Sequence, residues 1–217
     1  MERTATRMLT VGLAALGATV PPADAGSARA QASEVAPDAS REAQDGSEAR
    51  ALIETLSARL LAAPSATAVL EAWCAERGLS PDPRIVAVRV PVPDKAPGAD
   101  RRERLAVGPD EPVRYRRVRL TCGTHVLSEA DNWYVPARLT PEMNAALDGS
   151  DAPFGRVVRP LAPVRRVVAA QSLALPATLG PGTPLLRVDA LLLTGAGAPF
   201  CEVIETYLGA ALPGVGP

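Results

Sequence analysis

Lysine is almost absent from this 217-residue chain: Lys95 stands alone, and arginine supplies the rest of the positive charge. Together with the wealth of alanine, proline and glycine, that bias reads as a GC-rich bacterial genome and carries no mechanistic weight. There is no basic excess either. A formal net charge of -1 and a pI near 5.9 leave no global field for a polyanion, so nucleic acid is not an expected partner. Histidine occurs once, at His125, which puts histidine-dependent triads and multi-histidine metal sites out of reach. The three cysteines, Cys74, Cys122 and Cys201, form no CxxC unit, so no structural zinc is expected. They read as small buried hydrophobes, although in an oxidising compartment Cys122 and Cys201, each near the end of an expected strand, could pair. A glycine-rich phosphate loop is missing too, because the stretch from Gly195 to Gly197 joins strands rather than opening a helix. No metal site is expected.

Membrane-length apolar runs are also lacking. The run from Met8 to Val20 falls short of the roughly 20 residues a spanning helix needs. It follows Arg3 and Arg7 and precedes Pro21, Pro22 and Ala23-Asp24-Ala25, the layout of a cleavable signal peptide over residues 1–25. A second small-residue signature at Ala28-Arg29-Ala30 leaves the cleavage point open. A periplasmic or secreted protein without a membrane span is the expectation, or a cytoplasmic one if the start is mis-assigned. Residues 26–46 are small, polar and without apolar periodicity, which reads as a flexible leader. Residues 47–213 then form one domain, expected to be monomeric, from a chain that is 47% hydrophobic.

Within that domain Ser47 is placed to cap a helix reaching about Ala62, with Leu52, Ile53, Leu56, Leu60 and Leu61 on one face. Ser65 is placed to cap a second helix that ends at Gly78. Strands are expected over Arg84 to Val92, Val113 to Cys122 and Val126 to Val135, with a loop from Val92 to Glu111 and a hairpin turn at Gly123-Thr124. Thr140-Pro141 starts a short helix that ends at Gly149. Further strands follow over Arg156 to Arg159, Val164 to Ala170, Leu185 to Leu193 and Phe200 to Leu208. Helices first, then strands linked by hairpins, give an α+β fold with an antiparallel sheet of about six strands.

The segments YRRVRLTCG, YVPARLTPEM, SDAPFGRVV and PFCEVIETYL come in the order, and at about the spacing, of chorismate lyase, which this chain resembles from about Ser47 to Pro213. The resemblance implies an antiparallel sheet flanked by helices and enclosing a small-ligand cavity. It implies a cofactor-free elimination of pyruvate from chorismate to leave 4-hydroxybenzoate, or a related carbon-oxygen lyase reaction. The rival reading is an exported protein that binds a small aromatic carboxylic acid without turning it over. Ligand-sensing domains of bacterial regulators share the fold, but no basic recognition helix is found ahead of this domain.

The family's strand arginine falls on Arg116, in the pattern Arg116, Val118, Leu120. Parity supports the match: Arg116 shares a side with Val118 and Leu120, while Arg117 and Arg119 take the other. A gapless count back from Cys122 selects Arg117 instead, so the assignment turns on one extra residue in the hairpin. Among apolar neighbours a guanidinium needs either a ligand carboxylate or an internal partner such as Glu129, Glu202 or Glu205. The family glutamate falls on Glu205, the acid/base candidate, with Glu202 on the opposite face as a solvated strand charge. Phe154 matches an apolar residue lining the family pocket, and Gly155 would admit close backbone approach. Ala66, at a helix start, matches a position whose amide contacts the ligand carboxylate. Trp133 and Tyr134 read as packing residues.

Overall fold

Alternation decides the sheet. In β2 (Arg114–Cys122) the buried positions are Arg116, Val118, Leu120 and Cys122, every second residue, while Arg117 and Arg119 turn to the other face. The computed structural model describes residues 39–176 and 178–217, with side chains from residue 46 onward. The expected signal peptide and the leader up to residue 38 lie outside the described residues. β1 (Ile85–Arg89), β2, β3 (His125–Tyr134), β4 (Val164–Ser172), β5 (Pro184–Leu193) and β6 (Pro199–Leu208) form one antiparallel sheet in the order β1-β2-β3-β6-β5-β4. The fold class is α+β, as the order of elements in the sequence indicates.

Helices cover one face. Ile53, Leu56 and Leu60 of α1 (Ala39–Ala62) and Leu70 and Trp73 of α2 (Ala66–Arg77) pack on Val118, Leu120, Val188, Ala190 and Tyr207, whereas Leu61, expected on the same face of α1, is turned out to solvent. Burying a leucine such as Leu56, Leu60 or Leu70 stabilises the fold by about 1.5–3 kcal/mol each. The ends of α2 follow local rules: Ser65 Oγ accepts from the Ala68 amide at 3.3 Å, and Gly78 takes the left-handed conformation at φ 61°. Farther along the same face, α4 (Pro141–Gly149) and α5 (Phe154–Val157) bring Met143, Leu147 and Phe154 against Tyr134, Leu192 and Cys201. On the opposite face a smaller core joins Leu105, directly after α3 (Ala99–Arg104), to Trp133, Val135 and Leu191.

Four features differ from the sequence reading. α1 begins at Ala39, so Ser47 lies inside the helix and does not cap it. The stretch 39–46 lacks an apolar face but is rich in alanine, glutamate, glutamine and arginine, which favour helix without one. α3 occupies part of the expected loop. The segment expected as a strand at Arg156 to Arg159 is α5 followed by a 3-10 turn at Arg159–Leu161. Pro153 and Pro160 bracket it, and proline lacks the N–H a strand ladder requires.

The cysteines supply the fourth difference. Cys74 and Cys122 form a disulfide across 48 residues, with Cα atoms 6.6 Å apart, and Cys201 is free and buried. A Cys122–Cys201 bond is ruled out by register. Cys201 sits opposite Tyr134, which sits opposite Arg114, at the far end of β2 from Cys122. At about 3.3 Å per residue, that separates the two cysteines by roughly 26 Å along the strands. Cys74, on the buried side of α2, meets Cys122 directly.

Candidate functional site

Arg116 is the least satisfied charge on the helical face. It is only 2% exposed, and its Nε and Nη1 atoms have no hydrogen-bond partner. Its Nη2 reaches the Ala152 carbonyl at 3.4 Å, a long contact from the segment that leads into α5. Burial, reinforced by the nearby charge of Arg89, holds its pKa below the usual guanidinium value. The β2–β3 register places it opposite Asn132, whose side-chain amide donates to the Arg116 carbonyl at 3.4 Å. That register shifts between Leu120 and Thr121, where β3 accommodates an extra residue.

Beside Arg116 on the same face lies a cavity of about 60 Å3, room for a few water molecules. Ala66, Phe154, Gly155 and Glu205, four of the residues singled out from the sequence, line it together. Arg116 does not line it; the arginine in the wall is Arg165 of β4. Arg165 donates to Glu205 at 2.7 Å and to the Leu60 carbonyl at 2.8 Å, and both members of the ion pair are buried. Ser65, Thr67 and Asn132 add polar atoms to walls otherwise made by Val118, Leu120, Leu192 and Val203. A side-chain carbon on Gly155 would come within 3.2 Å of Thr67 Oγ1, so α5 approaches α2 as closely as it does because residue 155 is glycine. Next to Glu205, the Tyr207 hydroxyl and Ser128 Oγ are buried without partners. Burial, with Glu205 adding to it, pushes the Tyr207 phenol well above its usual pKa.

The other face holds charge that is matched. Arg117 pairs with Glu129 at 2.6 Å and lies 3.8 Å from Asp131, and Arg119 reaches Glu129 at 2.9 Å. Glu202 is not the solvated charge the sequence suggests: it is 3% exposed and held by Arg101 at 2.9 Å and Arg104 at 2.8 Å. Both arginines come from α3, so the unrecognised helix is also what hides the carboxylate. Trp133 lies beneath Arg101, and Tyr134 packs on Phe154 across the sheet from it. The cavity residue missed in the sequence is Arg165. It shares strand parity with Val167, the same pattern of one arginine on an apolar side that singles out Arg116.

No family model matches the chain. A protein of Sinorhizobium fredii (strain NBRC 101917 / NGR234), the "Uncharacterized protein y4mC", is 45% identical over 177 residues, covering 74% of this chain and 75% of that protein. Among solved structures, the effector domain of PhnF from Mycobacterium smegmatis aligns with a TM-score of 0.48 at 16% identity, over 67% of this chain and 89% of that one. The possible transcriptional regulator YydK from Bacillus subtilis aligns with a TM-score of 0.40 at 17% identity, over 57% of this chain and 58% of that one, so the chain spans less than two thirds of that regulator.

Proposed function

The chain belongs to one family with y4mC of Sinorhizobium fredii, and from the geometry around Arg116 we propose that it is a chorismate-lyase-like receptor for a small aromatic or cyclic carboxylic acid, anchored by its carboxylate on Arg116. The observation that carries this reading is the Arg116 guanidinium, buried with two nitrogens unpartnered. An uncompensated buried cation costs several kcal/mol, roughly, and a bidentate carboxylate offsets that cost in a single step. Export fits the same picture, because the Cys74–Cys122 disulfide is a bond that persists in oxidising compartments. N-terminal sequencing of protein recovered outside the cytoplasm tests that part: a start near Gly26 is expected, and an intact Met1 form in the soluble cytoplasmic fraction rejects it.

Calorimetry with 4-hydroxybenzoate tests the anchor. Arg116→Ala should weaken binding by about 1.5–3 kcal/mol, the range for hydrogen bonds to charged groups, and Arg117→Ala should do little. Equal losses from the two variants, or none from either, reject the assignment.

Lyase chemistry is the second reading, favoured by the convergence of Ala66, Phe154, Gly155 and Glu205 on one cavity. Glu205 is the acid/base of that reading, yet its carboxylate is already engaged by Arg165 at 2.7 Å. This is why binding ranks first. Pyruvate release from chorismate by the folded wild type, falling about 100-fold or more in Glu205→Gln, would establish catalysis. No release from folded wild type leaves the receptor alone.

A further inference from the structure

Three arginines converge on one short stretch of chain at the end of α4. Arg89 donates to the Asp148 carbonyl at 3.2 Å, Arg114 pairs with the Asp148 carboxylate at 2.8 Å, and Arg116 reaches the Ala152 carbonyl at 3.4 Å. Strand register explains the meeting. Arg89 of β1 stands opposite Val118, and Val118, Arg116 and Arg114 alternate along the same face of β2. β1 ends at Arg89, so the first residues of β2 border a groove of about 620 Å3 lined by all three arginines with Tyr134 and Asp148.

The charge in this groove is unbalanced. Asp148 is paired with Arg114 alone, and Asp94 also lines the groove without bonding to any of the three. Arg117 lines the groove as well, but Glu129 and Asp131 on the other face neutralise it. Capping the last carbonyls of α4 accounts for Arg89, since cations are favoured at helix C-termini. It does not account for Arg116, whose Nε and Nη1 reach no carbonyl and are buried.

We propose that this groove binds a dianionic oxyanion headgroup, of the phosphate monoester or phosphonate class, with Arg116 at its base and Arg89 and Arg114 at its sides. Three guanidinium groups around one locus match a group with three terminal oxygens better than the two oxygens of a carboxylate. The inference rests on Arg116 as the anion anchor and widens the class of anion it takes. Arg89 and Arg114 are exposed, so their replacement leaves the core intact.

The test titrates inorganic phosphate and acetate into wild type, Arg89→Gln and Arg114→Gln by calorimetry, with 4-hydroxybenzoate in parallel and a thermal melt of each variant. Phosphate should bind about tenfold or more tighter than acetate, and each variant should lose about tenfold in phosphate affinity. Asp148→Asn removes the competing carboxylate and should strengthen phosphate binding. Phosphate binding no tighter than acetate, or unchanged in both glutamine variants, overturns the proposal. If 4-hydroxybenzoate still binds in an Arg116-dependent way, the carboxylate reading survives that failure. Binding of neither anion to folded wild type removes both.

Discussion

Arg116 and Arg117 are consecutive residues on one strand, and the pleat sends them into opposite situations. Arg117, partly exposed, has Glu129 at 2.6 Å and Asp131 at 3.8 Å. Arg116, buried on the helical face, has one long contact to a carbonyl and two nitrogens with none. The two glutamates of β6 repeat the contrast with a different outcome. Glu202 and Glu205 lie on opposite faces, yet each is buried against arginine, Glu202 by two from α3 and Glu205 by Arg165. Burial of charge is thus matched at three of these four positions and left open at one. Of these four, Arg116 alone has no oppositely charged side chain paired with it among the described residues, and that is the place the proposed ligand carboxylate would take.

If pairing is what separates the two situations, the largest effect should come from stranding a buried partner. Arg165→Met leaves Glu205 without its cation, and urea unfolding should report a loss of about 3–5 kcal/mol. A loss under about 1 kcal/mol would mean that the buried pair behaves like an exposed one. Arg116→Met should act with the opposite sign, raising stability by about 1–2 kcal/mol, because it removes a buried charge with no partner to strand. Arg117→Met should cost no more than about 1 kcal/mol. Destabilisation by Arg116→Met would erase the distinction between the neighbours.

The smallest effect sharpens the comparison through pH. Burial pushes the Glu129 carboxyl up, but hydrogen bonds from Arg117 and Arg119 outweigh it and hold its pKa below the usual carboxylate value. The folded pKa is depressed, so its contribution is present above the unfolded value, roughly 4.3, and is lost as pH falls through the folded one. In acid titrations of stability Glu129→Gln should flatten the profile only below about pH 4.5, by less than about 1 kcal/mol. A change in slope near neutrality would assign the effect elsewhere.

The sheet was legible because parity is a local property. Arg116, Val118 and Leu120 reveal their shared side with no knowledge of the partner strands, and Gly123-Thr124 and the Gly195–Ala198 stretch mark the hairpins. The caps at Ser65 and Thr140 were legible for the same reason. What was hidden depends on long-range placement. Arg165 reaches Glu205 across 40 residues, and Arg101 and Arg104 reach Glu202 across 101 and 98, so no short window of sequence contains both partners. α3 was missed because six residues of mixed charge carry no apolar stripe. The reading of the cysteines as small buried hydrophobes holds for Cys201, but the Cys74–Cys122 bond was hidden because it joins a helix to a strand 48 residues on. Antiparallel register puts Cys122 and Cys201, the pair that nearness to strand ends suggests, at opposite ends of the sheet.

The Cys74–Cys122 bond also ties the history of the chain to its site. It closes a loop of 48 residues between α2 and β2, and in the chain-entropy account a loop of that size restricts the unfolded ensemble by about 4 kcal/mol. The same α2 begins with Ser65, Ala66 and Thr67, which form one wall of the cavity. The wall is therefore sewn to the sheet from its far end, and a molecule folded where thiols stay reduced has that wall held by packing alone. Two preparations of identical sequence, one oxidised and one reduced, differ in this respect in how firmly the cavity keeps its shape.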